Sequence, residues 1–271
     1  RTTAARLSTL YTLENHTSPF TLIISVEALM RKVVPKGIIS EQSELVMAEN
    51  ECDQDDLMTS LEKLGYENVA LVQSIGDFSV RGGIIDIFPP PFLDPGNNQV
   101  TIDGPIRLDF FGDTIETIRC FDPISQRSYN NIEEAIILPV HDALLPKENN
   151  NGIRNVLRSL REAGQQLQWD ESATARIEEQ LKNQQKFAGI EFFLPLFYEG
   201  NGSSGPSTLF EYLGDDTIFL LQDMEAIQQT SKLVSERIEV NFREARGNNY
   251  PALPTEQIFL LPDNLKQELS N

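Results

Sequence analysis

The stretch that decides the fold begins GDFSVRGGIIDIFPP (residues 76–90) and, after an irregular connection, resumes as IRLDFFGDTIETIRCFDP (residues 106–123). It contains three runs of strand length, Ile84–Phe88, Ile106–Phe111 and Ile115–Phe121, which are rich in β-branched and aromatic residues. Such runs are typical of β-strands when Gly, Pro and Asp bound them, and Gly112-Asp113 suits a tight hairpin turn. The stretch therefore predicts a small antiparallel sheet.

One aromatic ring of this sheet is expected to lie outside the core. Phe110 and Phe111 are adjacent, and side chains alternate between the two faces of a strand. An exposed ring near Arg81, which precedes Gly82-Gly83, has the composition of an interface hot spot. The alternative is a surface salt bridge from Arg81 or Arg107 to a nearby carboxylate, which would contribute little stability. The residues alone leave both possibilities open.

The charge of the chain favours a protein partner over a nucleic acid. The 271 residues have a formal charge of −19, whereas affinity for DNA comes mainly from Lys and Arg that neutralise phosphates. Residues 43–138 contain 5 basic and 18 acidic residues, and four of the five basic residues are arginines between Arg81 and Arg127. An acidic segment with a few central arginines predicts a protein–protein contact.

The remaining composition indicates a cytoplasmic protein. Cys52 and Cys120 each stand alone in a predicted element, which is typical of buried thiols in a reduced compartment. The sequence contains no run long enough to span a membrane. Because it starts at Arg1 directly in a helical pattern, we expect it to be part of a longer protein.

The flanking segments predict α/β architecture. Apolar runs at Phe20–Ser25, Thr217–Leu221 and Ile258–Leu261 predict buried strands, and amphipathic patterns predict helices at residues 4–14, 26–33, 153–160, 173–187 and 223–245. Since residues 1–42 are too few for a domain and residues 139–271 return to the same pattern, we predict one α/β domain formed by both. Residues 43–138 are then an inserted α+β domain with one helix and five or six strands, including strands near residues 45–48 and 69–75 and a helix that Asp53 caps and Gly65 ends.

The sequence contains no recognisable catalytic motif. Phosphate-loop, zinc-protease and nucleophile-elbow patterns are all missing. Asp86, Asp109 and Asp113 could converge as an acid–base pair of the kind that glycosidases use. We favour solvated outward positions for them, because they alternate with apolar residues. We therefore expect no catalytic residue, no cofactor and no metal in this chain.

Several motifs resemble the bacterial transcription-repair coupling factors. The central ones are FSVRGGIIDIFP (78–89), RLDFFGDTIETIR (107–119) and FDPISQRS (121–128). TLIISVEAL (21–29), ILPVHD (137–142) and GIEFFLPLF (189–197) resemble the same N-terminal module of that family, in the same order.

The resemblance implies a fold and a function. In that family the N-terminal module is similar to the excision-repair protein UvrB, with a degenerate, RecA-like helicase domain split around an inserted domain. The insertion would bind UvrA through Arg81, Arg107 and Phe111, with Gly82, Arg119 and Arg127 as further candidates. It would thereby bring nucleotide excision repair to a stalled RNA polymerase.

The resemblance also implies what lies elsewhere in the family protein. An ATP-dependent motor with ATP and Mg, contacts with DNA and RNA polymerase, and a C-terminal domain that contacts this module would all belong to other segments. A fragment of UvrB itself is the main alternative, because it shares the arginine-glycine motif, although we find no phosphate loop and no aromatic-rich hairpin. A carboxylate-based hydrolase is the second alternative. The connection at residues 91–105 is longer than the family pattern and could reposition Arg107.

Overall fold

The computed structural model shows a mixed α/β protein with two β-sheets. It describes residues 2–17, 19–94, 99–144, 152–183, 187, 189–199, 205–214 and 216–270. The chain divides into two compact units, which we call the sheet unit (Arg1–Pro19 and Gly37–Leu144) and the helical unit (Phe20–Lys36 and Leu145–Asn271). The predicted split helicase-like domain, which uses other boundaries, stays a prediction.

The elements follow in chain order. They are α1 (Thr2–Asn15), α2 (Val26–Met30), α3 (Ile38–Gln42), β1 (Glu44–Met47), α4 (Gln54–Lys63), β2 (Glu67–Asn68), β3 (Asp77–Val80), β4 (Ile84–Ile87), β5 (Ile106–Phe111), β6 (Thr114–Phe121), β7 (Ser128–Ile132), β8 (Glu134–Ile137), α5 (Gly152–Leu167), α6 (Glu171–Lys182), α7 (Leu194–Tyr198), α8 (Met224–Gly247), α9 (Thr255–Ile258) and α10 (Pro262–Glu268). Short 3-10 helices cover Ile190–Phe193 and Leu209–Tyr212.

The predicted sheet is confirmed at the centre of the sheet unit. Its strand order is β2-β3-β4-β5-β6-β7, antiparallel except for the parallel pair β2–β3, and β1 and β8 form a separate antiparallel pair. α4 packs its buried Leu57 and Leu61 into the same core as Phe78, Ile85 and Ile118. The hydrophobic core therefore lies on one face of the sheet.

The boundaries of α4 follow from its capping residues, as predicted. The Asp53 carboxylate accepts a hydrogen bond from the Asp56 backbone N–H at 2.9 Å, which satisfies one of the free donors of the first turn. Gly65 follows the helix with φ +93°, a conformation that glycine adopts without steric penalty.

Two predictions for the sheet unit are wrong. Residues 43–138 contain eight strands within the described part of the chain, not five or six. Residues 69–75 form no strand, and only Glu67–Asn68 pairs with β3. The reason is a turn, because the Asp77 carboxylate accepts hydrogen bonds from the backbone N–H groups of Gln73 and Ser74 at 2.9 and 2.8 Å.

The helices predicted for the helical unit are present, although α2 ends at Met30 and α6 at Lys182, and residues 184–186 of the predicted helix at 173–187 lie outside the described residues. The three strands predicted for this unit are wrong. Phe20–Ser25 and Thr217–Leu221 have no regular structure, and Ile23 and Leu220 are 93% and 97% exposed. Ile258 ends α9, and Phe259 forms only an isolated bridge with Arg31. An apolar run becomes a buried strand only where another strand hydrogen-bonds to it, and the described residues of this unit contain no strand.

Candidate partner-binding surface

A row of polar side chains crosses the face of the sheet that lies opposite the core. The register places five residues of neighbouring strands side by side, namely Ser79, Asp86, Arg107, Arg119 and Asn131. The adjacent core-side positions are Ile85, Leu108 and Ile118, all fully buried. We call the side that carries this row the polar face. It follows from simple alternation along the strands.

Asp86 is the centre of the row. Its side chain is only 1% exposed and binds two arginines. Arg107 Nε donates to Asp86 Oδ1 at 2.6 Å and Arg107 Nη2 donates to Oδ2 at 2.9 Å, while Arg81 Nη2 also donates to Oδ2. The hydrogen bonds to Asp86 raise the pKa of Arg107 above its ordinary value. The two arginines differ in exposure, at 14% for Arg107 and 47% for Arg81.

An aromatic ring supports Arg107 as well. The guanidinium carbon of Arg107 lies 4.7 Å from the ring centroid of Phe121, which is fully buried. This geometry is a cation–π contact, in which the ring attracts the positive charge. Arg107 is therefore held by a bidentate carboxylate and by a ring.

A second carboxylate on the polar face binds a third arginine. Arg119 donates to Asp109 through Nε at 2.8 Å and Nη2 at 2.7 Å, and the Thr117 hydroxyl donates to the same carboxylate at 2.8 Å.

Asp113 is exposed in the turn between β5 and β6. The interpretation of Asp86 as a solvated residue is wrong, because its cross-strand neighbour Arg107 allows it to be buried. Asp86 and Asp109 each bind arginine, which does not favour the shared catalytic role considered from the sequence.

Phe110 and Phe111 lie on opposite sides of the sheet, as predicted. Phe110 packs against the core, whereas Phe111 is 76% exposed. Phe111 is the last residue of β5 and pairs with Thr114 across the Gly112-Asp113 turn. A large ring so exposed at a strand end is the kind of anchor that protein interfaces use.

Three of the candidate residues lie at one end of the sheet. Mutual backbone hydrogen bonds between Arg81 and Ile84 close the turn that contains Gly82, and Gly82 has φ +59° with no atom within 4 Å of the position of a Cβ. The Phe110 backbone N–H donates to Gly83 at 2.7 Å, which brings the end of β5 against this turn. Arg81, Gly82 and Phe111 therefore lie at the same end of the sheet.

The other candidates lie farther along the sheet. Arg107 and Arg119 belong to the row, and Arg107 is linked to Arg81 through Asp86. Arg127 follows the far end of β6, and the eight residues of that strand separate it from the Phe111 turn by about 23 Å. The structure thus places Arg81, Gly82 and Phe111 at one end of the sheet, Arg107 and Arg119 in the row, and Arg127 apart from both.

The long connection at residues 91–105 leads into β5. Its described residues are anchored on α1, where the rings of Phe92 and Tyr11 are 4.8 Å apart and the Ser8 hydroxyl donates to the Pro91 carbonyl. β5 starts at Ile106, paired with Ile87, at the end of the sheet that lies away from Phe111. In this register Arg107 lies opposite Asp86.

Sequence reasoning missed two residues of this surface, Asp86 as the binding partner of both arginines and Phe121 as the ring under Arg107. Alternation places Asp86 on the same face as Arg107, but only the strand register shows that they are neighbours.

Within the described residues, no group of His, Cys, Asp and Glu could hold a metal ion, and no helix is both long and apolar enough to cross a membrane.

Known proteins match the same part of the chain. Residues 46–142 match the family described as the UvrB interaction domain. The transcription-repair-coupling factor of Myxococcus xanthus is 30% identical over 273 residues, and that of Escherichia coli is 29% identical over 270 residues. These alignments cover 98% and 99% of this chain. The similarity identifies an N-terminal module of the transcription-repair coupling factor family.

These relatives are named for coupling transcription to repair. The alignments cover 21% of each relative, so the chain spans about a fifth of the length of the coupling factors that it matches. The matched UvrB interaction domain contains the whole polar face together with Arg81 and Phe111.

Proposed function

We propose that the sheet unit binds UvrA and that this contact recruits nucleotide excision repair. The observation that carries the proposal is that the exposed ring of Phe111 and the half-exposed Arg81 lie at the same end of the sheet, inside the segment that matches the UvrB interaction domain. Aromatic and arginine side chains dominate the energy of protein interfaces. A surface that presents both in an otherwise acidic segment is suited to a protein partner.

The experiment is calorimetry of the 271-residue chain with purified UvrA. Arg81→Ala and Phe111→Ala are each expected to weaken binding by about 2 kcal/mol, roughly thirty-fold in the dissociation constant. Tyr129→Ala is a matched control for the ring, because Tyr129 is 64% exposed on β7 of the same unit. Arg158→Ala, an exposed arginine of α5, is the control for the charge.

Two results would count against this assignment. Unchanged affinity in both Arg81→Ala and Phe111→Ala would show that UvrA binds elsewhere, and no binding of the wild-type chain would refute the proposal itself. Equal losses in Tyr129→Ala and Phe111→Ala would show that the affinity depends on general exposed apolar area. Arg119→Ala and Arg127→Ala extend the map, and we expect a smaller effect for Arg127→Ala because of its distance from Phe111.

We further infer that the chain has no catalytic role of its own. ATP-dependent translocation with Mg, and contacts with DNA, RNA polymerase and a C-terminal domain of the same protein, would belong to segments outside this chain. A protein of this kind would act in the cytoplasm. Absence of ATP hydrolysis by the chain, with and without DNA, is the expected result, and measurable turnover would contradict it.

We also propose that residues 1–42 and 139–271, on either side of the inserted domain, form one helicase-like domain. Backbone hydrogen bonds within the helical unit support this, since Lys32 donates to Ile258, Val33 donates to Ser207 and Leu260 donates to Met30. Hydrogen exchange is the test. Residues 30–33 are expected to lose protection together with residues 207 and 258–260, and independent exchange of the two segments would refute a shared domain.

A further inference from the structure

Asp86 is an unusual residue for a binding surface, because it is acidic and buried. A buried carboxylate is costly unless it is paired and hydrogen-bonded, and Asp86 accepts three hydrogen bonds from two arginines. Both arginines are candidates for contact with a partner, whereas Asp86, at 1% exposure, can touch a partner very little. Its contribution must therefore act through the arginines.

The two arginines are restrained to different degrees. Arg107 has a bidentate bond to Asp86 and stands over the ring of Phe121. Arg81 has one bond to Asp86 and leaves about half of its side chain in solvent. Within the residues that the structure describes, Asp86 is the only acidic residue that forms an ion pair with either arginine.

We propose that Asp86 is the positioning residue of the UvrA-binding surface, which holds Arg81 and Arg107 in the orientation that the partner recognises. This inference rests on the proposed function and adds a residue that does not touch the partner. A free arginine side chain loses rotamer entropy when it is fixed. Asp86 imposes that restriction during folding, so less entropy is lost when the complex forms.

The geometry also indicates which atoms are left for the partner. Arg81 uses Nη2 toward Asp86, and a guanidinium has five N–H donors arranged as a fork. The remaining donors of Arg81 match carboxylate or carbonyl oxygens on UvrA. Because Phe111 lies at the same end of the sheet, the complementary site on UvrA would combine such an oxygen with an apolar contact.

The test compares two buried carboxylates of the same unit. Asp86→Asn keeps the shape of the side chain and removes the charge that fixes both arginines. Asp142→Asn is the matched control, since Asp142 is 2% exposed and bound to Arg6 outside the polar face. Binding of each variant to immobilised UvrA is measured by surface plasmon resonance at two salt concentrations, and folding is checked by circular dichroism and thermal unfolding.

We expect Asp86→Asn to raise the dissociation constant about ten-fold, mainly through faster dissociation, at both salt concentrations. Asp142→Asn is expected to bind like the wild type even where it lowers the melting temperature. In an Arg81→Ala/Arg107→Ala background, Asp86 is a buried charge without its cations. There Asp86→Asn is expected to raise the melting temperature without any further change in affinity, a combination that a purely structural role would not produce.

The outcomes separate the inference from the proposed function. Wild-type affinity of Asp86→Asn, together with weakened Arg81→Ala, would overturn the positioning role and leave the proposed surface standing. Wild-type affinity of Arg81→Ala and Phe111→Ala would overturn both. If Asp86→Asn does not fold, Arg107→Lys takes its place, because lysine keeps the charge but cannot form the bidentate contact. A loss of affinity is then expected, and unchanged affinity would overturn the inference.

Discussion

Replacement of Gly65 by alanine should destabilise the sheet unit through two separable effects. Gly65 has φ +93°, and a Cβ there would lie 2.1 Å from Cδ2 of His141. The left-handed backbone costs a non-glycine residue about 1–2 kcal/mol. Displacement of His141 adds about 1–3 kcal/mol of overpacking, because its ring bonds the Lys63 carbonyl and the Ala143 backbone N–H, both at 3.1 Å. We therefore expect Gly65→Ala to lower the free energy of unfolding by about 2–5 kcal/mol.

Gly37→Ala is a control that isolates the first effect. Gly37 has nearly the same φ, +94°, in the same unit, and no atom lies within 4 Å of its Cβ position. Urea unfolding monitored by circular dichroism should show a loss of only about 1–2 kcal/mol for Gly37→Ala. In a His141→Ala background, Gly65→Ala should lower the free energy of unfolding by less than it does in the wild type, because only the backbone cost remains. Equal losses for Gly65→Ala and Gly37→Ala would refute the steric contribution of His141.

Two further predictions concern a buried hydroxyl and a surface carboxylate. Tyr66→Phe should cost about 1–2 kcal/mol in urea unfolding, because it removes the buried hydrogen bond from the Tyr66 hydroxyl to the Leu138 carbonyl at 2.8 Å; an unchanged midpoint would contradict this. Hydrogen bonds from Arg161 and then Lys182 lower the pKa of Glu178 from 4.5 to about 2. Because its pKa is lower in the folded state, Glu178 contributes its full stabilisation above pH 4.5 and loses it as the pH falls toward 2. Solvent screens the ion pair, so Glu178→Gln should lower the free energy of unfolding by about 1 kcal/mol or less at pH 7. That difference should vanish near pH 2, and a cost independent of pH would refute it.

The sheet unit was largely predictable because its signals are local. Asp53 and Gly65 set the ends of α4, and Gly112-Asp113 sets the turn that fixes β5 against β6. The alternation of Phe110 and Phe111 then decides which ring is exposed. Each of these features depends on residues within a few positions of one another, so the sequence alone was sufficient.

The helical unit was less predictable because a strand needs a partner. Phe20–Ser25 and Thr217–Leu221 have the composition of buried strands, yet the described residues of the unit contain no strand that could pair with them. Propensity reports how well a residue fits a pleated and half-buried surface. It does not report whether such a surface exists. Without a strand to pair with, the apolar side chains of Ile23 and Leu220 are exposed.

The environment of Asp86 depends on register, which is a property of chain segments far apart in sequence. From the sequence, an ion pair of Arg81 and an interface role of Arg81 were alternatives. In the structure the ion pair is present and the side chain is still half exposed. The ion pair with Asp86 is therefore compatible with a role of Arg81 in an interface. If Asp86 positions Arg81, as we propose, the ion pair favours that role.

The same geometry predicts that the two arginine variants will differ in stability. Arg81→Ala leaves Asp86 with the bidentate bond of Arg107, whereas Arg107→Ala leaves a buried carboxylate with only the single bond of Arg81. Breaking a buried pair in this way costs about 3–5 kcal/mol, so Arg107→Ala should have much the lower melting temperature in a thermal scan. Similar melting temperatures for the two variants would contradict the central place of Arg107. Because Arg81→Ala preserves the buried pair, its loss of affinity for UvrA measures the lost contact, whereas the affinity of Arg107→Ala has to be measured well below its melting temperature.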